Sequence, residues 1–439
     1  MPFLVNKNYI INTDNNRVIK ININNKGEKF FEDKHKLCKY FKLEESLLDK
    51  ISSVDIESEK SSTLKVLDQL QLLISTTCNM TCKYCFANEG KYSEHIKFMN
   101  LETAKMSLDT FFNYYDYIET ITFFGGEPLL NYRIMKFVCE YTNENYKNRF
   151  RDFSVMSNLY YTNPEIINLI KKYNIIVATS LDGSEASNDL YRVNKDSEGT
   201  FKKVSKNIKY LREITGQPSK IEMTLSDKGL DIENKERPVS AISSYLKDEF
   251  DIRNFTINKA IKNEYSDVEC TYELDNSVKD MINLFINKGV FTDEIYNFIN
   301  FIKGKSSRYL CGAGISQFSI MTGGDIYPCQ FFASKSKNNN FIDNIYNKDI
   351  IKNITKESQK NLKKYDKSKC NRCFAKTTCH ICIANLDEHV NTLEKNCVMN
   401  RKKYVEYFNN LIDLYENSEK FNNFIMRLNE YSHKEILNV

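Results

Sequence analysis

Between residues 68 and 260 short β-rich runs alternate with helical patterns, and this alternation constrains the fold more than any other feature of the chain. The runs are Leu70 to Ser75, Thr120 to Phe124, Phe153 to Ser157, Ile175 to Ser180, Ile221 to Ser226 and Phe255 to Lys259. Strands separated by helix-length segments pair in parallel, because the chain crosses back through each helix before laying down the next strand. Cys78 to Cys85, Gly125 to Glu127, Asn158 and Asp182 all fall just past the C-terminal ends of successive runs. Active sites of α/β barrels are built on that face, so the sequence predicts one shared site at the mouth of a strand-helix barrel.

The flanking segments differ in character. In residues 1–67, Tyr9 to Ile11 and Val18 to Ile23 flank Asp14-Asn15-Asn16 and predict a β-hairpin, followed by helical stretches around Phe30 to Phe41 and Glu44 to Ser52. A polar, Ser-rich link, Glu57 to Thr63, leads into the barrel region at 68–300, whose last part, 232–300, is polar and helical in pattern. Glycine and cysteine set the rhythm of residues 301–400, and 401–439 predict one or two amphipathic helices.

A chain of 439 residues, 41% hydrophobic, can bury two or three cores. Its 62 basic and 58 acidic residues leave a net charge of +4, so nothing draws it to nucleic acid or to a membrane surface. The N-terminus lacks a basic stretch followed by an apolar core, and no run approaches the ~18 apolar residues of a membrane helix. A cytoplasmic protein is expected. Thirteen cysteines, odd in number, clustered and without an export signal, favour metal ligation over disulfides.

The chemistry concentrates at Cys78-Asn79-Met80-Thr81-Cys82-Lys83-Tyr84-Cys85, directly after the first strand. Three thiolates from one short loop ligate three irons of a [4Fe-4S] cube and leave the fourth open to bind something else. A zinc knuckle or buried structural thiols are the competing readings.

This spacing, with Tyr84 before the third cysteine, resembles the signature of radical S-adenosylmethionine (SAM) enzymes. Phe123-Phe124-Gly125-Gly126-Glu127-Pro128 and Ser180-Leu181-Asp182-Gly183 are similar to further motifs of that family. The resemblance implies a partial (β/α)6 barrel in which Cys78, Cys82 and Cys85 hold the cluster, and SAM is chelated by its open iron and cleaved to a 5'-deoxyadenosyl radical. By the same resemblance Gly125, Gly126 and Glu127 meet the methionine amino group, Tyr84 and Phe86 lie near the adenine, Ser180 and Asp182 serve the ribose hydroxyls, and Arg192 serves the carboxylate. Asn158, preceded here by Ser157, stands where the family often has a Thr-Asn pair.

Further on come Cys311, Gly324 and Cys329, then Cys370-x2-Cys373-x5-Cys379-x2-Cys382 and Cys397. The pattern resembles the SPASM domain of radical SAM enzymes that modify peptides and proteins, implying two auxiliary [4Fe-4S] clusters and three in all. Cys370, Cys373, Cys379 and Cys397 would ligate the outer one, and Cys311, Cys329 and Cys382 the inner one. Cys379 and Cys382 are separated by two residues where the family usually has three. The inner cluster lacks an obvious fourth ligand, for which Cys270 is the nearest candidate and a substrate thiolate the alternative. Cys38 and Cys139 read as core residues, and a zinc ribbon is the competing reading of Cys370 to Cys382.

Phe123 to Asn131, Gly324 to Phe331 and Cys373 to Asn385 resemble peptide maturases that install cysteine thioether crosslinks in ribosomally made precursors. That resemblance implies a cysteine-containing precursor peptide as partner, its leader captured by strand addition on the N-terminal segment, and a low-potential donor such as flavodoxin or ferredoxin. The alternatives are a sulfatase-maturing, formylglycine-forming enzyme, a carbon-carbon crosslinking maturase, or a non-enzymatic iron-sulfur or zinc sensor. In the sulfatase-maturing pattern an aspartate base follows the cysteine matching Cys329, whereas here Gln330 follows it, and an amide is no proton acceptor at neutral pH.

Overall fold

Six parallel strands form the centre of the computed structural model: β5 (Val66–Ser75), β6 (Tyr117–Gly125), β7 (Phe150–Ser157), β8 (Ile176–Ser180), β9 (Lys220–Leu225) and β10 (Asn254–Lys259). They lie side by side in chain order, joined by helices such as Leu101–Tyr114, Tyr132–Asn145, Pro164–Lys172 and Phe201–Thr215. The structure describes residues 3–6, 8–14, 16–20, 28–31, 34–41, 65–92, 95–233, 237–263, 265–272, 274, 276–304, 309–334, 341–360, 370, 373–385 and 390–431. All six expected strands are present, each within a few residues of its expected bounds. The order is that of an open, partial barrel.

Alternation within each strand sorts its two faces. Ile221, Met223 and Leu225 enter the core against the helices, while Lys220, Glu222 and Thr224 face the other way. Gln69, Thr122 and Ser154 join three neighbouring strands on that polar face, Gln69 Nε2 donating to Thr122 Oγ1 at 2.9 Å and Thr122 Oγ1 lying 2.8 Å from Ser154 Oγ. Local signals set the helix ends. Asn163 accepts from the Ile166 amide at 2.9 Å with Pro164 in the first turn, and Gly216, at φ 74°, ends the helix Phe201–Thr215 in the left-handed region.

The sheet continues beyond the six strands on both sides. A two-residue β11 (Phe291–Thr292) pairs with β10, and β12 (Gln317–Ile320) pairs in parallel with β5, followed by antiparallel β13 (Asp325–Tyr327) and β14 (Asp343–Asn344). The sheet therefore runs unbroken across the boundary expected at residue 300. The C-terminal helices Val390–Glu416 and Ser418–Asn429 pack on 278–302: Phe298 meets Tyr407 and Phe424, and the Arg427 guanidinium donates to the Ile286 carbonyl at 2.9 Å.

At the N-terminus a separate antiparallel sheet has the order β3-β2-β1-β4, from β1 (Phe3–Asn6), β2 (Tyr9–Asn12), β3 (Val18–Lys20) and β4 (Glu28–Phe31). The expected hairpin is β2-β3, with Ile10 opposite Ile19. Phe30 and Phe31, expected in a helix, lie in β4 instead, because β1 supplies the pairing Leu4↔Phe30 and Phe3↔Phe31; the helix begins at Lys34. Residues 21–23 of the expected hairpin and the stretches Glu44 to Ser52 and Glu57 to Thr63 lie outside the described residues. Among the described residues no helix is long and apolar enough to cross a membrane.

Candidate functional site

The loop bearing Cys78, Cys82 and Cys85 leaves the end of β5 and is clamped from two sides. On one side the Gly126 amide donates to the Ser75 carbonyl at 2.8 Å and the Glu127 amide to the Thr77 carbonyl at 2.9 Å. A Cβ on Gly125 would lie 2.0 Å from the Ser75 carbonyl oxygen, and one on Gly126 2.4 Å from that of Thr77. The glycines thus serve first the chain's own backbone, a closer cause than the methionine contact implied by the motif. On the other side the Thr81 amide donates to the Val193 carbonyl at 2.8 Å and the Lys83 amide to that of Tyr191 at 3.0 Å, which brings Arg192 to the loop.

The three thiols are in no disulfide. Burial pushes Cys78 up to about 12, helped by the charge of Glu127, and Cys82 up to about 11 against the pull of Arg192. Thiols held protonated this strongly ionise against a bound cation, which suits iron. Asn79 Nδ2, inside the loop, is buried without a hydrogen-bond partner, a donor that the sulfide of a cluster would satisfy. Among the described residues no three His, Cys, Asp or Glu side chains converge as a single metal ion requires. Three free thiols on one loop beside the orphaned Asn79 donor fit a cluster.

Glu127, 1% exposed, is held by three donors: the Leu129 amide at 3.0 Å, Ser157 Oγ at 2.8 Å and the Asn158 amide at 2.8 Å. Burial outweighs them and pushes its carboxyl up to about 7. The Asn158 side chain donates to Asn79 Oδ1 at 2.9 Å and points at Cys78 Sγ, 3.5 Å away. Glu127, Asn158 and the cysteine loop are therefore one network.

Opposite them Tyr84 donates to Asp182 and accepts from Arg192 Nη1 at 2.7 Å, with Arg192 and Asp182 3.9 Å apart and both buried. Asp182 also accepts from the Thr224 amide at 2.9 Å; burial pushes its carboxyl up, and Arg192 opposes the shift. Ser180 closes β8 with its hydroxyl 3.9 Å from Met156 Sδ. Phe86, implied to lie near the adenine, has its ring 4.9 Å from Phe331 and edge-on to Tyr92 at 6.1 Å. Leu73, Tyr92, Met321 and Ala333 share that apolar cluster, so the first cysteine loop packs on the segment following Cys329.

The remaining cysteines separate into two groups. Cys329 starts the turn Gln330–Ala333 in an apolar cluster with Ala313, Phe332 and Ala384, and Cys311 packs on it. Its thiol is pushed up to about 11, by burial first and also by the charges of Cys382 and Cys311. Cys397, on the helix Val390–Glu416, faces Cys370 and Cys373, and Arg401 lies against all three. Cys379 is half-buried on the loop between the groups. Cys270 is buried with its amide donating to the Ala260 carbonyl at 2.9 Å, and its electrostatic neighbours are Lys259 and Asp227 rather than the inner cysteines. Cys38 and Cys139 lie in apolar cores.

Three contributors escaped sequence reasoning. Gly90, at φ 81°, packs so closely that a Cβ would lie 2.4 Å from Gly126 Cα and 3.3 Å from Cys78 Cβ. Asn79 is the orphan donor. Glu222 sits opposite Ser180 in the sheet register, on the polar face at the mouth, with its carboxyl pushed up by burial. Its position in an alternating strand was the one available signal.

Residues 72–228 match the family model of the radical SAM superfamily. The chain is 28% identical over 286 residues to the radical SAM cyclopropyl synthase TigE of Paramaledivibacter caminithermalis, covering 60% of this chain and 57% of that one. It is 26% identical over 326 residues to a cysteine-type anaerobic sulfatase-maturating enzyme of Clostridium novyi, covering 67% and 83%. An uncharacterized protein of Methanocaldococcus jannaschii is 35% identical over 132 residues, 30% of this chain and 44% of that one, so the chain spans about half the length of this relative and of TigE. The solved structure of native anSMEcpe with bound AdoMet shares the fold, with a TM-score of 0.61 at 20% identity over 80% of this chain and 99% of that one. The matched region, residues 72–228, carries the cysteine trio, the Gly125–Glu127 strip and Asp182, so the family's motifs and the buried network described above fall in the same segment.

Proposed function

We propose that this chain matures a ribosomally made precursor peptide by forming cysteine thioether crosslinks. The observation that carries the reading is the shared apolar core of Phe86, Phe331, Met321 and Ala333, which sets the first cysteine loop beside the segment after Cys329. Cys78, Cys82 and Cys85 would hold the first cluster, Cys311, Cys329 and Cys382 the inner auxiliary one, and Cys370, Cys373, Cys379 and Cys397 the outer one. Bound SAM and a reduced cluster together supply a carbon radical able to take hydrogen from a peptide carbon. The chain's own residues bind and orient. Glu127 offers a carboxylate toward a SAM ammonium, Arg192 and Asp182 present paired charges at the end of β8, and the loop keeps Cys78 beside Asn158.

Gln330 supports the peptide substrate. Its Oε1 is buried without a partner directly after Cys329, an acceptor suited to a peptide N–H and unsuited to the base of a formylglycine-forming enzyme. Among the described residues the N-terminal sheet has β3 and β4 as its outer strands, which suits leader capture by strand addition. A flavodoxin or ferredoxin would supply the electron. The likeness to TigE makes carbon-carbon bond formation the second reading.

Coexpression with a cysteine-containing precursor, followed by thiol alkylation and mass spectrometry, separates the readings. A thioether maturase removes two hydrogens for each cysteine that no longer alkylates. A product short of two hydrogens with every cysteine alkylated favours the carbon-carbon reading. Absence of 5'-deoxyadenosine from the reconstituted, reduced protein with SAM overturns both.

A further inference from the structure

The turn of the N-terminal hairpin reaches the outer cysteine group. Asp14 pairs with Lys376 at 2.7 Å, with the two side chains 27% and 9% exposed. Asn16, 4% exposed and at φ 57°, a region asparagine tolerates, donates from Nδ2 to the Phe301 carbonyl at 3.1 Å. Its Oδ1 accepts from Tyr404 at 2.8 Å and from Thr377 at 3.4 Å. Lys376 and Thr377 lie between Cys373 and Cys379, and Tyr404 lies about two helical turns beyond Cys397 on the same helix. Phe30 of β4 packs with its ring tilted against that of Phe374 at 5.1 Å, and Phe374 meets Tyr404 at 5.6 Å. One turn of one hairpin thus grips both segments that carry outer cysteines.

We infer that Asp14 and Asn16 are positioning residues of the outer cluster: the N-terminal sheet is part of the wall that holds Cys373, Cys379 and Cys397 in place. Within the ligand loop Phe374 and Ala375 pack on the core, while the polar Lys376 and Thr377 cannot be fixed that way. The buried Lys376 ammonium and the Thr377 hydroxyl are anchored from outside the loop, by a segment more than 350 residues away in sequence. Groups that orient ligands in this way typically change metal affinity 10–100-fold when removed. The inference rests on the reading of these cysteines as cluster ligands.

The test reconstitutes the full chain anaerobically and follows iron release to a ferrous chelator, together with the paramagnetic resonance of the reduced clusters. Asn16→Ala and Asp14→Asn should release one cluster's worth of iron about 10–100-fold faster than the unaltered chain, while the signal that responds to SAM keeps its amplitude. Asn16→Asp, which keeps an acceptor for Tyr404 and Thr377, should restore part of the loss. Tyr431→Phe, which removes a buried hydrogen bond to the Gly289 carbonyl away from the cysteines, should leave release unchanged. Cys373→Ala separates the two claims: if it keeps all its iron, the ligand reading fails, whereas if it loses iron and the Asn16 and Asp14 variants do not, the positioning role is overturned. Equal acceleration by Tyr431→Phe would also overturn it. Should Asn16→Ala not fold, the milder Asp14→Asn carries the test.

Discussion

The backbone amide of Asn158 donates to the buried carboxylate of Glu127 at 2.8 Å, and this bond ties the end of β7 to the loop after β6. Glu127 holds its proton up to about 7 instead of the ordinary 4.5, because burial outweighs its three donors. A raised acid stabilises the fold fully below the unfolded value, and that contribution is lost as pH rises through the folded one. The Glu127 contribution to the stability of the iron-free protein should therefore fall by about 2.5 kcal/mol between pH 5 and pH 8. Glu127→Gln should flatten that slope in denaturant titrations at each pH; parallel slopes for the two proteins would refute the assignment.

Arg192 is buried between Tyr84 and Asp182, so its charge is compensated by geometry rather than by water. Removing it strands a buried carboxylate, and Arg192→Ala should cost about 3–5 kcal/mol. Arg192→Lys should not restore stability, since an ammonium lacks the planar fork. Tyr84→Phe should cost less, about 1–3 kcal/mol, by taking one hydrogen-bond partner from each neighbour of its hydroxyl. Thermal melting ranks the three variants.

Gly126→Ala and Gly216→Ala make a matched pair. The first added Cβ meets the Thr77 carbonyl oxygen at 2.4 Å, and the second meets nothing within 4 Å. Gly216→Ala should cost only about 1 kcal/mol for its left-handed conformation. Gly126→Ala should displace the backbone that carries Cys78 and reduce iron uptake by the first cluster. Iron content after reconstitution is the measurement, and full uptake would show that the loop yields.

Much of this was legible in the sequence because the signals were local. The six central strands announced themselves as apolar runs of strand length, and the cysteines by their spacing. What was hidden depends on distant partners. Phe30 and Phe31 suit a helix or a strand equally, and only β1 decides between them. β11 and β14 are two residues long and exist because a neighbouring strand supplies their pairing. Gly90 and Asn79 matter through the approach of other chain segments, and Phe86 packs on Phe331, remote in sequence. The Cys270 thiol, open as a ligand on sequence grounds, is set by the fold between Lys259 and Asp227.

Cysteine replacements should sort by these neighbourhoods. Cys329→Ala should lose iron, while Cys139→Ala and Cys270→Ala should keep it and pay only a packing cost, at most a few kcal/mol. Iron and sulfide analysis decides, and iron loss in Cys270→Ala would make that residue the missing inner ligand.

β5 has β6 on one edge and β12 on the other, and both pairings are parallel. Ending the chain at residue 300 would not release a free-standing barrel. It would bare the backbone of Gln69 to Leu72 along an apolar strand, the kind of edge that recruits another copy of itself. The same pairing puts the two halves in one sheet: the loop of Cys78 leaves β5 and the turn of Cys329 follows β13, two strands away at about 4.8 Å a step.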